Sequence, residues 1–391
     1  MNQGFRFKKA LIGPDLAVGE DVWISIDRSG RISSIDEGHA PAGTPFHPAA
    51  IAIPGLVDCH VHLALSGGAD VEKEARDSAG TGSGLGAAIQ AHAGMHLKSG
   101  VTTVRDLGSP QDVVLKALRS GQLRAPSAPR IVSGSAVSSP AGHGNFLSRW
   151  ATTLSEYEKV IGEVKAAGAD FLKLFATGGV VTSGTVPGAT QMDALLLDQV
   201  TGLAHRSGLR VAAHAHGEEG IRNALRAGVD SVEHFSYLTD EDALLLAGSN
   251  TTLVSTLVAT ERFVASDDRA KATPEALAKI LEHAPHERDA LARAVAAHLP
   301  IAAGTDAGTT FNPHGFGMQE QAVFLAKAGM GTLEILRTLT IRGAQLLAVP
   351  SGSLSTGRFA DILCLDADPT VDVQALGAIN DVILAGVSVH K

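Results

Sequence analysis

Between residues 51 and 346 the chain repeats one pattern: a short apolar run, a polar turn, then a stretch with helical spacing. The apolar runs are "AIAIPGLVD", "VTTVRDLG" (101–108), "RIVSGSAVS" (130–138), "DFLKLFAT" (170–177), "RVAAHAHG" (210–217), "DSVEHFSY" (230–237), "TTLVSTLVA" (251–259) and "IAAGTDAG" (301–308). Segments such as "SEYEKVIGEVKAAGA" and "EEGIRNALRAGV" carry apolar residues at helical intervals between them. Strands that are nearly continuous in apolar residues are buried on both faces, as in a parallel sheet covered by helices. Eight such units predict an α/β protein, a (β/α)8 TIM-type barrel. A doubly wound open sheet is the competing arrangement, but no Gly-x-Gly-x-x-Gly follows an early strand.

The ends of the chain read differently. "FRFKKALIG", "DVWISID" and "GRISSIDEG" are short strands separated by turns, and "APAGTPFHP" (40–48) is a Pro-rich connector. Strand character returns after residue 350 in "GSLSTGRFADILCLDADP" and "INDVILAGVSVHK". Neither end is long enough to fold alone. Residues 1–50 and 350–391 are therefore expected to form one small β-sandwich domain beside a catalytic barrel of 51–349.

The candidate chemistry lies at the strand ends, which is where such barrels place it. "GLVDCHVH" (55–62) puts His60 and His62 on one side of a strand, with Cys59 and Val61 facing the other. Paired imidazoles repel when protonated and need partners when neutral, and a divalent metal meets both needs. Two core histidines bonded to backbone are the plainer alternative. Later strand ends add Lys173, His214 with His216, His234, and Asp306. Lys173 could instead snorkel, Asp306 could cap a turn, and Glu233 could pair with its neighbour His234. "SSPAGHGNF" places His143 after the third strand, Tyr237 lies three residues beyond His234, and "NPHG" places His314 after the eighth strand.

Composition narrows the class. A chain of 391 residues with 45% hydrophobic content can bury a large core. Net charge is −9, with no Lys/Arg cluster, so nucleic acid and anionic membrane surfaces are not expected partners. Cys59 and Cys364, the two cysteines, fit a reducing compartment. With no apolar signal region and no run near the ~18 residues of a membrane span, a cytoplasmic location is expected. The sequence leaves association into a homo-oligomer open.

Taken in order, "GLVDCHVH", "KLFATGG", "HAHG", "VEHFS", "GTDAG" and "GSLSTGRFADILCLDADP" resemble the amidohydrolase superfamily of metal-dependent hydrolases. The likeness runs end to end and is greatest to the prolidase-like, imidazolonepropionase-related branch. That branch cleaves dipeptides, removes C-terminal amino acids or hydrolyses amide-linked mycotoxins.

The resemblance implies two divalent ions, usually zinc. His60, His62 and Asp306 would hold one, His214 and His234 the other, and Lys173, carboxylated by CO2, would bridge them. Spacing alone leaves His214 and His216 interchangeable, and the family pattern favours His214. The implied chemistry is attack on an amide by a metal-bridged hydroxide, with Asp306 as proton shuttle. The substrate would be a dipeptide, an N-acyl amino acid or another small amide, its carboxylate held by His143 and Tyr237, with His314 lining the same pocket. Hydrolysis of a cyclic ureide or imidazolone, or of an ester, lactone or carbamate, uses the same centre. A deaminase would carry Glu three residues after His214, where this chain has Gly217. A non-catalytic scaffold would have lost ligands that are all present here.

Overall fold

The computed structural model describes residues 3–78, 85–123 and 125–390. Every one of the eight apolar runs contains a strand. Leu56–Val61, Val101–Asp106 and Phe171–Phe175 are buried at every position, as sheets covered on both faces require. They and their counterparts form two parallel sheets. One joins Leu56–Val61, Val101–Asp106 and Arg130–Ser133; the other runs from Arg149–Trp150 through Ser135–Ser138, Phe171–Phe175, Arg210–Ala215, Ser231–His234 and Thr252–Ser255 to Ile301–Ala303.

The third run is broken at Gly134, where a Cβ would lie 2.5 Å from the Phe171 carbonyl oxygen. Its first half pairs with one sheet and its second half with the other. At the opposite edges, Thr305 and Asp306 donate backbone N–H groups to the His60 carbonyl at 3.2 and 2.7 Å, and His62 donates to Ala307 at 2.8 Å. The two sheets are thus joined through Gly134 and through these backbone bonds.

The covering helices start where the sequence supplies caps. Thr153 and Glu156 form a capping box before Leu154–Ala166, whose Tyr157, Val160, Ile161 and Val164 form the buried stripe. Thr273 and Pro274 open the long helix Pro274–Ala296.

The first run differs from expectation. It splits at Gly55, and Ile51–Pro54 pairs antiparallel with Ile362–Leu365 instead of entering the parallel sheets. Gly55 faces Thr102 so closely that a Cβ would meet that side chain at 2.3 Å. Ile51–Pro54 sits mid-sheet between strands from the two ends of the chain, in the order Val387–His390, Ile379–Leu384, Ile362–Leu365, Ile51–Pro54, Gln3–Ile12, Ala17–Ile26, Ile32–Glu37. A buried cluster that includes Phe7, Val22, Ile24, Ile362 and Ile383 draws both ends together. Cys59 and Cys364 are both buried and free. Among the described residues no helix is long and apolar enough to cross a membrane.

Candidate metal centre

The C-terminal ends of the parallel strands converge on one cleft. His60, His62, Lys173, His214, His216, His234 and Asp306 all line it, and so does His143. Parallel register explains part of this convergence, because Phe175 lies opposite His214 and Ala215 opposite His234.

One nitrogen of each imidazole is fastened from outside. His60 Nδ1 meets Glu233 Oε2 at 2.9 Å, and His62 Nδ1 meets the Gly108 carbonyl at 3.1 Å. His214 Nε2 meets the Gly178 carbonyl at 3.0 Å, His216 Nδ1 meets Ser236 Oγ at 2.9 Å, and His234 Nδ1 meets Thr256 Oγ1 at 2.7 Å. Such outer partners fix ring orientation and leave the second nitrogen for a ligand. His60 Nε2 and His62 Nε2 each stand 3.3 Å from Asp306 Oδ1. Ligand atoms of His60, His234 and Asp306 lie within 4.8 Å of one another, as do those of His214, His216 and His234.

Charge is arranged to suit a cation. Burial first, then neighbouring rings, pushes His214, His216 and His234 well below the ordinary histidine range, so they are neutral and able to ligate. Burial would raise Asp306, but His60 and His62 outweigh it and hold the carboxyl below the usual range. Lys173 is the exception: its Nζ is buried with no hydrogen-bond partner, and burial lowers it to about 8. An unpartnered amine beside neutral imidazoles is an expensive arrangement unless something else is bound there. His234, Phe235 and Asp306 also adopt positive φ of 73°, 46° and 54°, a strain that clusters at working sites.

Beneath the rings, Arg105 Nη2 donates to Glu233 Oε1 at 2.8 Å, and Ser231 Oγ donates to the same oxygen at 2.5 Å. Arg105, together with His60, outweighs burial and holds Glu233 down at about 2. The Glu–His pair anticipated beside His234 therefore forms with His60, 173 residues away. Alternation along the strand puts Glu233 and His234 on opposite faces.

Two expected residues fall elsewhere. His314 is absent from the cleft lining; its Nδ1 meets His96 Nε2 at 2.9 Å and its Nε2 meets the Leu65 carbonyl at 2.8 Å, so both nitrogens are taken. Tyr237 is also outside the lining, its ring 4.5 Å from that of His286.

Sequence reasoning missed a polar stripe on the long helix. Glu275, Lys279, His283 and Glu287 recur every fourth residue, a spacing that could have flagged one face. Glu275 accepts from Ser183 Oγ at 2.6 Å, Lys279 donates to the Thr182 carbonyl at 3.1 Å, the His283 ring lies 4.3 Å from that of His216, and Glu287 accepts from Thr260 Oγ1 at 2.5 Å. Burial raises Glu287 to about 8. None of these four lines the cleft, whose wall beyond the histidines, Lys173, Asp306 and four threonines is apolar, with Leu65, Phe146, Val180, Phe263 and Ile280.

A model of the Amidohydrolase family matches residues 51–389. Ochratoxinase of Aspergillus niger is 29% identical over 358 residues, covering 84% of this chain and 72% of the relative. Its crystal structure superposes with a TM-score of 0.84 at 25% identity, covering 98% of this chain and 95% of that one. An uncharacterised protein of Mycobacterium tuberculosis is 30% identical over 369 residues, covering 91% of this chain and 89% of the relative. A Xaa-Pro dipeptidase with methionine bound in its active site shares the fold, with a TM-score of 0.85 at 24% identity and 99% of each chain covered.

Proposed function

The chain belongs to the Amidohydrolase family, and from that premise we propose that it hydrolyses an amide bond in a dipeptide, an N-acyl amino acid or a related small molecule. The observation that carries this reading is the convergence of six residues from five strand ends, His60, His62, Lys173, His214, His234 and Asp306, on one cleft. The likeness to ochratoxinase supports the amide substrate class. We read the two linked parallel sheets as a (β/α)8 barrel and the seven-stranded sheet as a separate small domain. On this reading the boundary falls at Gly55, after strand Ile51–Pro54, and not before residue 51.

The donor set fits two divalent ions, with zinc as the proposed metal. His60, His62 and Asp306 would hold one ion, and His214 and His234 the other. Lys173 is a poor neighbour as an amine but an apt one as a carbamate. Reaction of its Nζ with CO2 releases a proton and leaves an anionic group with two oxygens that can bridge both ions. When bound, the pair would polarise the scissile carbonyl and acidify the attacking water. Asp306, kept ionised by its histidine neighbours, would be the group to take up a proton from the attacking water and hand it to the leaving amine. His143 meets a substrate oxygen from the cleft wall. Deamination is disfavoured by Gly217, where a Cβ would lie 2.3 Å from the Gly188 carbonyl oxygen, so no glutamate fits there.

The test is a screen of zinc-loaded protein against dipeptides and N-acyl amino acids, with Lys173→Ala beside it. Hydrolysis should disappear on chelation and in the variant, and short carboxylic acids should partly rescue the variant. Intact mass of the active, loaded enzyme should show the added CO2. Absence of hydrolysis across the screen, or activity indifferent to chelation, would overturn the reading.

A further inference from the structure

We propose that Thr182 is the positioning residue for His143, fixing that ring as a hydrogen-bond donor toward the substrate. The proposal rests on the reading above that His143 meets a substrate oxygen. Thr182 belongs to the segment after strand Phe171–Phe175, and three parts of the molecule meet at it. Its Oγ1 stands 2.8 Å from His143 Nδ1 and accepts the Gly144 N–H at 3.2 Å. Its carbonyl accepts from Lys279 Nζ at 3.1 Å and from Thr185 Oγ1 at 2.9 Å. Neighbouring Ser183 and Gly184 both donate to Glu275, at 2.6 and 2.8 Å, and Lys279 pairs with Glu275 at 2.6 Å. Helix Pro274–Ala296 therefore grips the segment by two side chains one turn apart.

The direction of the central hydrogen bond follows from proton supply. A hydroxyl has one proton to give and can accept two; Thr182 Oγ1 accepts from Gly144, and His143 Nδ1 is the acceptor within reach of its proton among the described residues. Its proton is then the one that reaches Nδ1, which leaves the His143 proton on Nε2. The reverse arrangement would leave the hydroxyl proton without an acceptor among the described residues. Packing reinforces the choice. The ring lies so close over Gly179 that a Cβ there would approach it at 2.3 Å, and it sits 4.4 Å from the His214 ring. The imidazole is thus held on one side by Thr182 and on another by bare backbone, with Nε2–H as the group it can offer an oxygen in the cleft.

Thr182→Val removes the hydroxyl at nearly constant volume. With an N-acyl amino acid that the zinc-loaded enzyme hydrolyses, KM should rise about tenfold while kcat changes far less. Thr182→Ser should restore the wild-type KM, and zinc content should be the same in all three. His143→Ala is the comparator. A cost in His143→Ala with none in Thr182→Val overturns this proposal alone; no cost in either overturns the His143 reading beneath it as well. Nitrogen-15 NMR of histidine-labelled wild-type protein gives a check that needs no variant. His143 Nδ1 should show the shift of an unprotonated acceptor, and a proton on Nδ1 would overturn the assignment.

Discussion

Two groups of histidines lie close together in this molecule and are partnered in opposite ways. His60, His62, His214, His216 and His234 line the cleft, each with one nitrogen tied to an outside partner. His92, His96 and His314 instead bond to one another and to backbone. His96 Nε2 meets His314 Nδ1, His92 Nδ1 meets the Leu63 carbonyl at 2.8 Å, and the His92 and His314 rings stack at 4.3 Å. The second group joins helix Leu85–Lys98 to the loops after the first and eighth strands. His96 Nδ1, buried without a hydrogen-bond partner, stands 3.7 Å from Asp58 Oδ2. Residue type is the same in both groups, and His96 and His314 are as buried as the cleft histidines. What separates a candidate ligand cluster from a clasp is whether the second nitrogens converge on a cavity.

The contrast can be broken most forcefully at Asp306, the carboxylate that His60 and His62 share. Asp306→Asn should keep metal yet lose about 10²–10⁴-fold in kcat, the usual contribution of a positioned proton carrier. Turnover close to wild type, with metal retained, would move Asp306 to the structural side. A smaller effect is expected one layer out. Glu233→Gln weakens the tie that orients His60 and should reduce zinc affinity or activity by about 10–100-fold. Competition with a chromophoric chelator measures this directly, and unchanged affinity would show that the tie does not matter. The smallest effect on turnover is expected at His314. His314→Gln should lower stability to urea by ~1–3 kcal/mol through the partners it leaves unpaired, with kcat near wild type. A loss of kcat without a loss of stability would return His314 to the site that its sequence position suggested.

His314 shows where sequence reading stops. Its place after the eighth strand put it near the mouth, but the loop path decides which way it faces. Asn312 Nδ2 donates to the carbonyls of Thr305 and Asp306 at 2.8 and 2.7 Å, and the turn it makes delivers His314 to His96. Nothing in "NPHG" announces that. The strands were legible because burial on both faces demands unbroken apolar runs, and the polar residues interrupting those runs marked the cleft. The breaks at Gly134 and Gly55 were not legible, since each depends on a distant neighbour, Phe171 in one case and Thr102 in the other. His214 and His216 stayed equivalent because both are in the cleft, and only their outside partners, the Gly178 carbonyl and Ser236, tell them apart. Glu233 was visible as a buried acid, but its partner across the fold was not.

Strand Ile51–Pro54 has a consequence for how the protein is made. Its partner, Ile362–Leu365, is translated about three hundred residues later. At ribosomal speeds of ~5–20 residues per second, that edge waits on the order of tens of seconds for its partner. During that interval "IAIP" is an apolar edge beside a nascent chain that is still growing, the kind of surface on which chains stick to one another. Yield in a foreign host should therefore depend on translation rate and chaperone supply more than on the stability of the finished enzyme.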